Sequence, residues 1–167
     1  MKPTPARLGL YVHIPFCRQK CTYCDFYSLP HREDRMDDYT AALCAHLSET
    51  APFAASHVVD TVYFGGGTPS YLGTKRLTKI LKVILKKYRV DREAEITLEA
   101  NPDSAENWKD LRALRRCGFN RLSLGMQSAD DADLAEIGRV HTMAQTTAAV
   151  EAARKASFTN LSLDLIY

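Results

Sequence analysis

The sequence lacks any long hydrophobic run and any cluster of like charges. Its apolar stretches fall short of the roughly 18 residues that a membrane-spanning helix needs. Residues 1–8 are polar and interrupted by prolines, without the apolar core of a secretion signal. The 22 Lys and Arg residues are interspersed with 20 Asp and Glu residues, and the formal net charge is only +2. Such a distribution is not typical of nucleic-acid-binding proteins. We therefore expect a cytoplasmic protein with no nucleic-acid partner and no transmembrane segment.

The sequence also lacks the cysteines of a disulfide framework. It has five cysteines, an odd number, and three of them fall within eight positions, at Cys17, Cys21 and Cys24. In a reducing compartment, cysteines this close together indicate a metal or cluster site. The other two, Cys44 and Cys117, lie on predicted helices, where a free cysteine packs as a small hydrophobic residue.

Short runs rich in β-branched and aromatic residues alternate with longer segments of helical periodicity. Strands are predicted at residues 10–14, 58–64, 95–99, 121–124 and 161–167. Helices are predicted at residues 37–49, 75–88, 104–117, 131–137 and 142–156. This alternation predicts an α/β fold with a parallel sheet and helical crossovers, either in a barrel or in an open doubly wound form. Ser104 is the expected cap of the third helix, which Gly118 ends.

The last predicted strand has no helix after it, although parallel strands are normally covered on both faces. We therefore expect a domain that is truncated after its fifth strand. Such a chain would leave an unpaired strand edge and an apolar face open to water.

The three clustered cysteines directly follow the first predicted strand, at the end of a parallel sheet where ligands bind. Their C-x3-C-x2-C spacing suits three thiolates that wrap one side of a [4Fe-4S] cluster and leave the fourth iron without a protein ligand. The alternative is zinc, which takes four ligands, usually as two separated pairs, and would need His13, Asp25 or His31 as the fourth. The spacing favours the cluster.

A triple glycine follows the second predicted strand, in Gly65-Gly66-Gly67-Thr68-Pro69. Glycines allow the backbone to approach a ligand closely. The alternative is a tight turn that is ended by the proline. Because this loop is predicted at the same end of the sheet as the cysteines, it is a candidate ligand-binding element.

Polar residues recur where the later strands end. Glu99 closes the third predicted strand, and Gln127 lies just beyond the fourth. Asp164 stands among apolar neighbours on the fifth, where a carboxylate is costly unless it is hydrogen-bonded or paired, so it is a candidate ligand. Arg139 lies between two helical segments and is either a site residue or a solvated arginine.

The run from Leu10 to Phe26 closely resembles the opening of the coproporphyrinogen-dehydrogenase-like family of radical S-adenosylmethionine (SAM) proteins. The similarity continues through residues 65–69, 99–102, 120–127 and 138–142 and up to Asp164. This resemblance implies a partial (βα)6 barrel, in which residues 1–167 form a radical SAM core domain that is incomplete at its C-terminus.

The resemblance also implies roles for individual residues. Cys17, Cys21 and Cys24 would ligate a [4Fe-4S] cluster, and Tyr23 would lie at an aromatic position beside it. The positions that match SAM contacts in the family are Tyr11, Gly66, Gly67, Thr68, Glu99, Gln127, Arg139 and Asp164.

Within the family, the heme chaperones are most similar. Phe26 stands where the dehydrogenases carry a fourth cysteine, and those enzymes also have an extension before the first strand. We therefore expect a chaperone that binds heme as cargo, receives electrons from a flavodoxin or ferredoxin, and delivers heme to acceptor proteins. The first alternative is an oxidoreductase, the oxygen-independent coproporphyrinogen III oxidase, which converts coproporphyrinogen III to protoporphyrinogen IX. The second alternative is a non-catalytic zinc-binding α/β fragment.

Overall fold

The fold is that of a computed structural model, which describes residues 5–167. Within them, the strands are β1 (Ala6–Ile14), β2 (Phe16–Cys17), β3 (Leu29–Pro30), β4 (His57–Gly66), β5 (Val90–Ala100), β6 (Arg121–Gln127) and β7 (Asn160–Leu165). The α-helices are α1 (Met36–Thr50), α2 (Thr74–Lys87), α3 (Trp108–Cys117), α4 (Asp131–Glu136) and α5 (Met143–Lys155).

The main sheet has five parallel strands in the order β1-β4-β5-β6-β7, which is also their order along the chain. Each strand therefore lies beside the main-sheet strand that precedes it in the chain. Because crossover connections are right-handed, every connecting helix then lies on the same face of the sheet. The helices accordingly pack in series, α1 on α2, α2 on α3 and α3 on α5. This one-sided arrangement is an arc of a barrel, and it excludes the doubly wound alternative for the described residues.

Alternation along each strand gives the sheet one apolar and one polar face. Phe64, Leu98 and Leu122 point toward the helices and are fully buried, and burial of each such side chain contributes roughly 1.5–3 kcal/mol. The opposite face carries polar side chains such as Glu99 of β5 and Ser123 of β6, which hydrogen-bond across neighbouring strands. The expectation of an open apolar face is therefore wrong for this side of the sheet.

The outer strand β7 does expose apolar side chains. Leu163 is 45% exposed and Leu165 is 60% exposed, because no described helix covers this part of the strand. The strand also ends earlier than predicted, at Leu165 rather than at Tyr167. Among residues 5–167 the structure contains no helix with the length and hydrophobicity required to cross a membrane.

The third helix begins four residues later than predicted. Ser104 ends a short 3-10 turn, and its hydroxyl bonds to the carbonyl of Asn101 instead of capping a helix. The cap is Asn107, whose Oδ1 accepts from Lys109 N at 3.0 Å, and the helix starts at Trp108. Sequence reasoning missed this because Ser and Asn are both favoured caps, and local sequence does not show which one the chain uses.

His141 is a buried histidine that anchors the segment after α4. Its side chain is 3% exposed, and its Nε2 lies 3.2 Å from the carbonyl oxygen of Met126, which can only accept, so Nε2 carries the proton. Burial, and then the nearby Arg139 charge, lower the pKa of His141, while Asp103 and Asp131 act in the opposite sense. His141 is therefore neutral in the folded protein at pH 7.

Acidification is expected to destabilise the fold through His141. In the unfolded chain the imidazole takes up a proton near pH 6.5, whereas the folded state resists protonation. The free energy of unfolding should fall as the pH drops through about 6.5 toward the lowered folded pKa. Urea unfolding at a series of pH values measures this effect. His141→Gln should show a shallower decline than wild type, and parallel pH profiles for the two would contradict the assignment.

Candidate functional site

A cavity of about 280 Å³ opens at the C-terminal edge of the sheet. Eleven of the twelve residues that the sequence singled out line it. They come from six separate stretches of the chain and comprise Cys17, Cys21, Tyr23, Cys24, Gly66, Gly67, Thr68, Glu99, Gln127, Arg139 and Asp164. The edge of a parallel sheet thus gathers side chains that are far apart in sequence.

The cysteine loop is held at this edge by backbone hydrogen bonds. Leu29 N donates to Pro15 O at 2.7 Å beside the short β2-β3 pair, and Cys24 N closes a turn onto Cys21 O at 3.2 Å. Further along, Thr22 N bonds to Ile137 O at 3.2 Å, which docks the loop on the segment after α4. These bonds tie the loop to the sheet edge and to the segment after α4.

The three loop thiols line the same cavity, and none forms a disulfide. Cys17 is buried, whereas Cys21 and Cys24 are partly exposed. In the part of the chain that the structure describes, no three His, Cys, Asp or Glu side chains meet closely enough to hold a single metal ion. The three thiols thus share one cavity without meeting at a single point.

The glycine loop packs directly against the cysteine loop. Gly67 N donates to Ile14 O and Thr68 N donates to Phe16 O, both at 2.8 Å. A Cβ on Gly67 would lie 2.8 Å from the Pro15 carbonyl and 2.9 Å from Cys17 Sγ. Within the triple glycine, which the sequence predicts as a place of close ligand approach, Gly67 is therefore also required for contact between two loops of the same chain.

Glu99 faces the glycine loop from the neighbouring strand. Its Oε1 accepts from Tyr63 Oη at 2.5 Å, and its Oε2 accepts from Gly66 N at 3.2 Å. Burial and the Glu99 carboxylate raise the pKa of Tyr63, so the phenol remains a donor. These two donors hold the carboxylate at the cavity wall.

Asp164 is not buried among its apolar neighbours, so that premise of the sequence analysis is wrong. Alternation along β7 places it with Ser162 on the polar face, and β7 is an edge strand in the described sheet. Both carboxylate oxygens accept from Ser123 Oγ, at 3.1 and 3.2 Å. The carboxylate is thus solvated and oriented by a serine of β6.

Gln127 occupies an unusual backbone position at the end of β6. Its φ of 69° lies in the left-handed region, and the pairing between β6 and β7 shifts register between Gly125 and Gln127. Non-glycine residues in this region are uncommon and often mark functional sites. The bulge brings Gln127 to the cavity lining.

Arg139 reaches from the segment after α4 to the centre of the cavity wall. Its Nη2 donates to Asn101 Oδ1 at 2.7 Å and to Gly125 O at 2.6 Å, while Nη1 lies 3.6 Å from Cys21 Sγ and 3.5 Å from Tyr23 Oη. The Nε atom is buried and has no hydrogen-bond partner among the described residues. Arg139 is therefore a built part of the site and not a solvated arginine.

Two groups of the cysteine loop have raised pKa values. Burial raises the pKa of the Cys17 thiol, although the hydrogen bond from Thr68 lowers it in part. Partial burial also raises the pKa of Tyr23 to about 12, with the Arg139 charge acting in the opposite sense. Ligation at Cys17 therefore requires the loss of a proton, since the thiolate is the ligand.

Tyr11 is the one predicted residue that does not line this cavity. It is 59% exposed on the polar face of β1, its hydroxyl lies 3.0 Å from His13 Nδ1, and its ring stacks on Tyr63 at 6.2 Å between centroids. A SAM contact from Tyr11 stays a prediction.

Among the lining residues that were not predicted, Asn101 and Ser123 hydrogen-bond directly to predicted ones. Asn101 joins Thr68 to Arg139, and Ser123 orients Asp164. The signal for Asn101 is its place directly after a strand, two residues beyond Glu99. Ser123 has no such signal, because its role depends on the pairing of β6 with β7.

The donor set of this cavity fits an iron–sulfur cluster with a bound zwitterionic ligand. Three free thiols on one loop are the ligands that iron–sulfur clusters use. The unpartnered buried Nε of Arg139, the partly exposed carboxylate of Glu99 and the exposed carboxylate of Asp164 offer charges of both signs to a ligand beside them. SAM carries carboxylate, amino and sulfonium groups that such charges can bind.

The sequence model of the Radical SAM superfamily matches residues 11–167. The Heme chaperone HemW of Mycobacterium tuberculosis is 39% identical, over 100% of this chain and 44% of its own length. HemW of Escherichia coli is 36% identical, over 96% and 42%. The mitochondrial Radical S-adenosyl methionine domain-containing protein 1 of Bos taurus is 34% identical, over 98% and 37%. The chain thus spans about two-fifths of the length of these relatives.

Solved structures agree with the sequence match. The radical SAM enzyme coproporphyrinogen III oxidase (HemN) of Escherichia coli has a TM-score of 0.89 at 32% identity, covering 98% of this chain and 37% of that one. The hydrogenase maturase HydG of Carboxydothermus hydrogenoformans, at a TM-score of 0.60 and 14% identity over 98% of this chain and 37% of that one, shares the fold alone. With a family match over nearly its whole length and a parallel sheet whose edge carries three cysteines, the chain belongs to the Radical SAM superfamily, which implies a [4Fe-4S] cluster and SAM as cofactors.

Proposed function

We propose that Cys17, Cys21 and Cys24 hold a [4Fe-4S] cluster and that SAM binds beside it in the same cavity. The observation that carries this proposal is the convergence of three thiols, the glycine loop and the polar strand ends on one space of about 280 Å³. Three thiolates leave one iron open, which the amino and carboxylate groups of SAM can chelate. The chemistry that this pair supplies when bound is one-electron reductive cleavage of the sulfonium.

The protein residues bind and orient SAM in this proposal. The backbone carbonyls of Gly66 and Gly67, with Thr68, receive the amino group. Glu99 serves the ribose or the amino end, held in place by Tyr63 and Gly66 N. Further contacts come from Gln127, Arg139 and Asp164, and Tyr23 lies next to the cluster. Tyr11, on the polar face of β1 and outside the cavity lining, is the remaining proposed SAM contact.

We infer that the whole protein handles heme as a chaperone. Relatives named Heme chaperone HemW are 34–39% identical to this chain. Phe26, at the position of a fourth cysteine in the dehydrogenases, is 67% exposed beside the cysteine loop and cannot ligate iron. In this proposal the whole protein acts in the cytoplasm, with a flavodoxin or ferredoxin as reductant and heme-accepting proteins as partners.

Heme titration of the purified full-length protein, followed by Soret absorbance, tests this function. The same preparation is assayed anaerobically with SAM, reductant and coproporphyrinogen III. We expect saturable heme binding and no formation of protoporphyrinogen IX. Product formation without heme binding would favour the dehydrogenase.

Iron and sulfide analysis after anaerobic reconstitution separates both functions from the zinc-binding fragment. We expect about four irons and four sulfides per chain, as a cubane cluster contains. Zinc with neither iron nor sulfide would contradict the proposal.

A further inference from the structure

Two of the three loop thiols have hydrogen-bond donors, and both donors meet at Asn101. Thr68 Oγ1 lies 3.6 Å from Cys17 Sγ, and Arg139 Nη1 lies 3.6 Å from Cys21 Sγ. The Asn101 carboxamide joins them, since its Nδ2 lies 3.3 Å from Thr68 Oγ1 and its Oδ1 lies 2.7 Å from Arg139 Nη2. A continuous chain of hydrogen bonds therefore runs from Cys17 through three side chains to Cys21.

When the cysteines are ligated as thiolates, which can only accept, chemistry determines the direction of every hydrogen bond in this chain. A guanidinium has no acceptor, so the oxygen of Asn101 must face Arg139 and its NH2 group must face Thr68. The Thr68 oxygen then accepts from Asn101, and its single hydroxyl proton is left to point at Cys17 Sγ. Arg139 thus donates to Cys21 directly and, through Asn101, orients the donor to Cys17.

The backbone around Asn101 holds its side chain at this junction. Its N–H donates to Ser70 Oγ at 3.3 Å. Its carbonyl accepts from Ser104 N at 3.0 Å and from Ser104 Oγ at 2.9 Å. The two serine hydroxyls lie 2.6 Å apart, so they link the turn after β5 to the turn after β4. These bonds are present in the protein alone, and the junction does not need a ligand to form it.

We propose that Asn101 is a positioning residue that raises the reduction potential of the bound cluster by keeping Thr68 and Arg139 as donors to two of its thiolates. This inference rests on the proposed ligation by the three cysteines. Hydrogen bonds to ligating sulfurs stabilise the reduced, more negative state of a cluster and so raise its potential. Loss of these bonds lowers the potential without removing a ligand.

The test is a redox titration of the full chain after anaerobic reconstitution with iron and sulfide, followed by EPR of the reduced cluster. Asn101→Asp keeps an acceptor for Arg139 but has no donor, so the Thr68 hydroxyl turns toward residue 101 and away from Cys17. Asn101→Leu is neutral and similar in size, and it separates the loss of hydrogen bonds from the added charge. Both variants should shift the midpoint potential to more negative values.

Matched variants distinguish positioning from general damage. Thr68→Val removes the hydroxyl and should lower the potential, whereas Thr68→Ser keeps it and should restore the wild-type value. Asn107→Asp makes the same chemical change at the exposed cap of α3, where Asp also caps well, and should leave the potential unchanged.

Each outcome decides the inference. Wild-type potentials in both Asn101→Asp and Asn101→Leu overturn it, whatever Thr68→Val shows, while the cluster assignment stands. A wild-type chain that assembles no cluster overturns both. If neither Asn101 variant assembles a cluster, the Thr68 pair decides, because equal potentials in the Val and Ser variants overturn the inference and a lower potential in the Val variant supports it.

Discussion

Replacement of Cys17, Cys21 or Cys24 by alanine is expected to abolish the visible absorbance of the reconstituted cluster. Each of these thiols lines the cavity, and in the proposed site each thiolate ligates one of three irons of the cubane cluster. A loop with two thiolates leaves two irons without protein ligands, so we expect near-complete loss and not a proportional decrease. Iron and sulfide content, measured beside the absorbance after anaerobic reconstitution, should fall together.

The remaining cysteines supply the control for this experiment. Cys44 and Cys117 are partly buried and pack against the hydrophobic core, away from the cavity lining. Cys44→Ala and Cys117→Ala should each cost about 1 kcal/mol of stability, the typical effect of a small truncation, and should retain the cluster. Loss of the cluster in either control alone would show that the ligands are wrongly assigned.

Gly67→Ala is expected to weaken both the fold and the cluster site. The new Cβ would lie 2.8 Å from the Pro15 carbonyl and 2.9 Å from Cys17 Sγ, and the first of these neighbours is backbone. The loops cannot separate without loss of two hydrogen bonds, from Gly67 N to Ile14 O and from Thr68 N to Phe16 O. Overpacking of this kind costs roughly 1–3 kcal/mol. Urea unfolding measures the destabilisation, and cluster content after reconstitution measures the displacement of Cys17.

Gly73→Ala is the matched control for Gly67→Ala. A Cβ on Gly73 has no atom within 4 Å, so the substitution meets no steric obstacle. Its backbone angles, φ 88° and ψ 150°, lie in a region that only glycine readily adopts, so alanine is strained there at a cost of roughly 1–3 kcal/mol. The control therefore loses stability without any contact to the cysteine loop. This variant should keep the cluster. A Gly67→Ala protein that unfolds like wild type and binds a full cluster would contradict the packing argument.

Much of the fold was predictable because its signals are local. Five strands and their connecting helices follow from hydrophobic periodicity, and the parallel arrangement follows from their alternation. The predicted start of the third helix at Ser104 was wrong, since Asn107 competes for the same role within one turn. The two-residue strands β2 and β3 were not predicted because they are too short to show any periodicity.

The candidate site also contains some residues that local sequence predicts and others whose roles depend on tertiary contacts. The three cysteines lie within eight positions and the three glycines are consecutive, so both motifs can be recognised from the sequence alone. Asn101 and Ser123 acquire their roles only from partners on other strands and loops. Arg139 lies 118 residues from Cys21 in the chain and 3.6 Å from its sulfur in space.

The sequence by itself determined which elements form and which residues carry thiol, carboxylate or glycine character at the strand ends, because these properties reside in short segments. The tertiary structure decided the order of the strands, the polar character of the open face, the exposure of Asp164 and the chain of hydrogen bonds through Asn101. The physical reason is register. A hydrogen bond between distant segments forms only when sheet pairing and loop docking bring donor and acceptor within about 3 Å, and no local pattern encodes that distance.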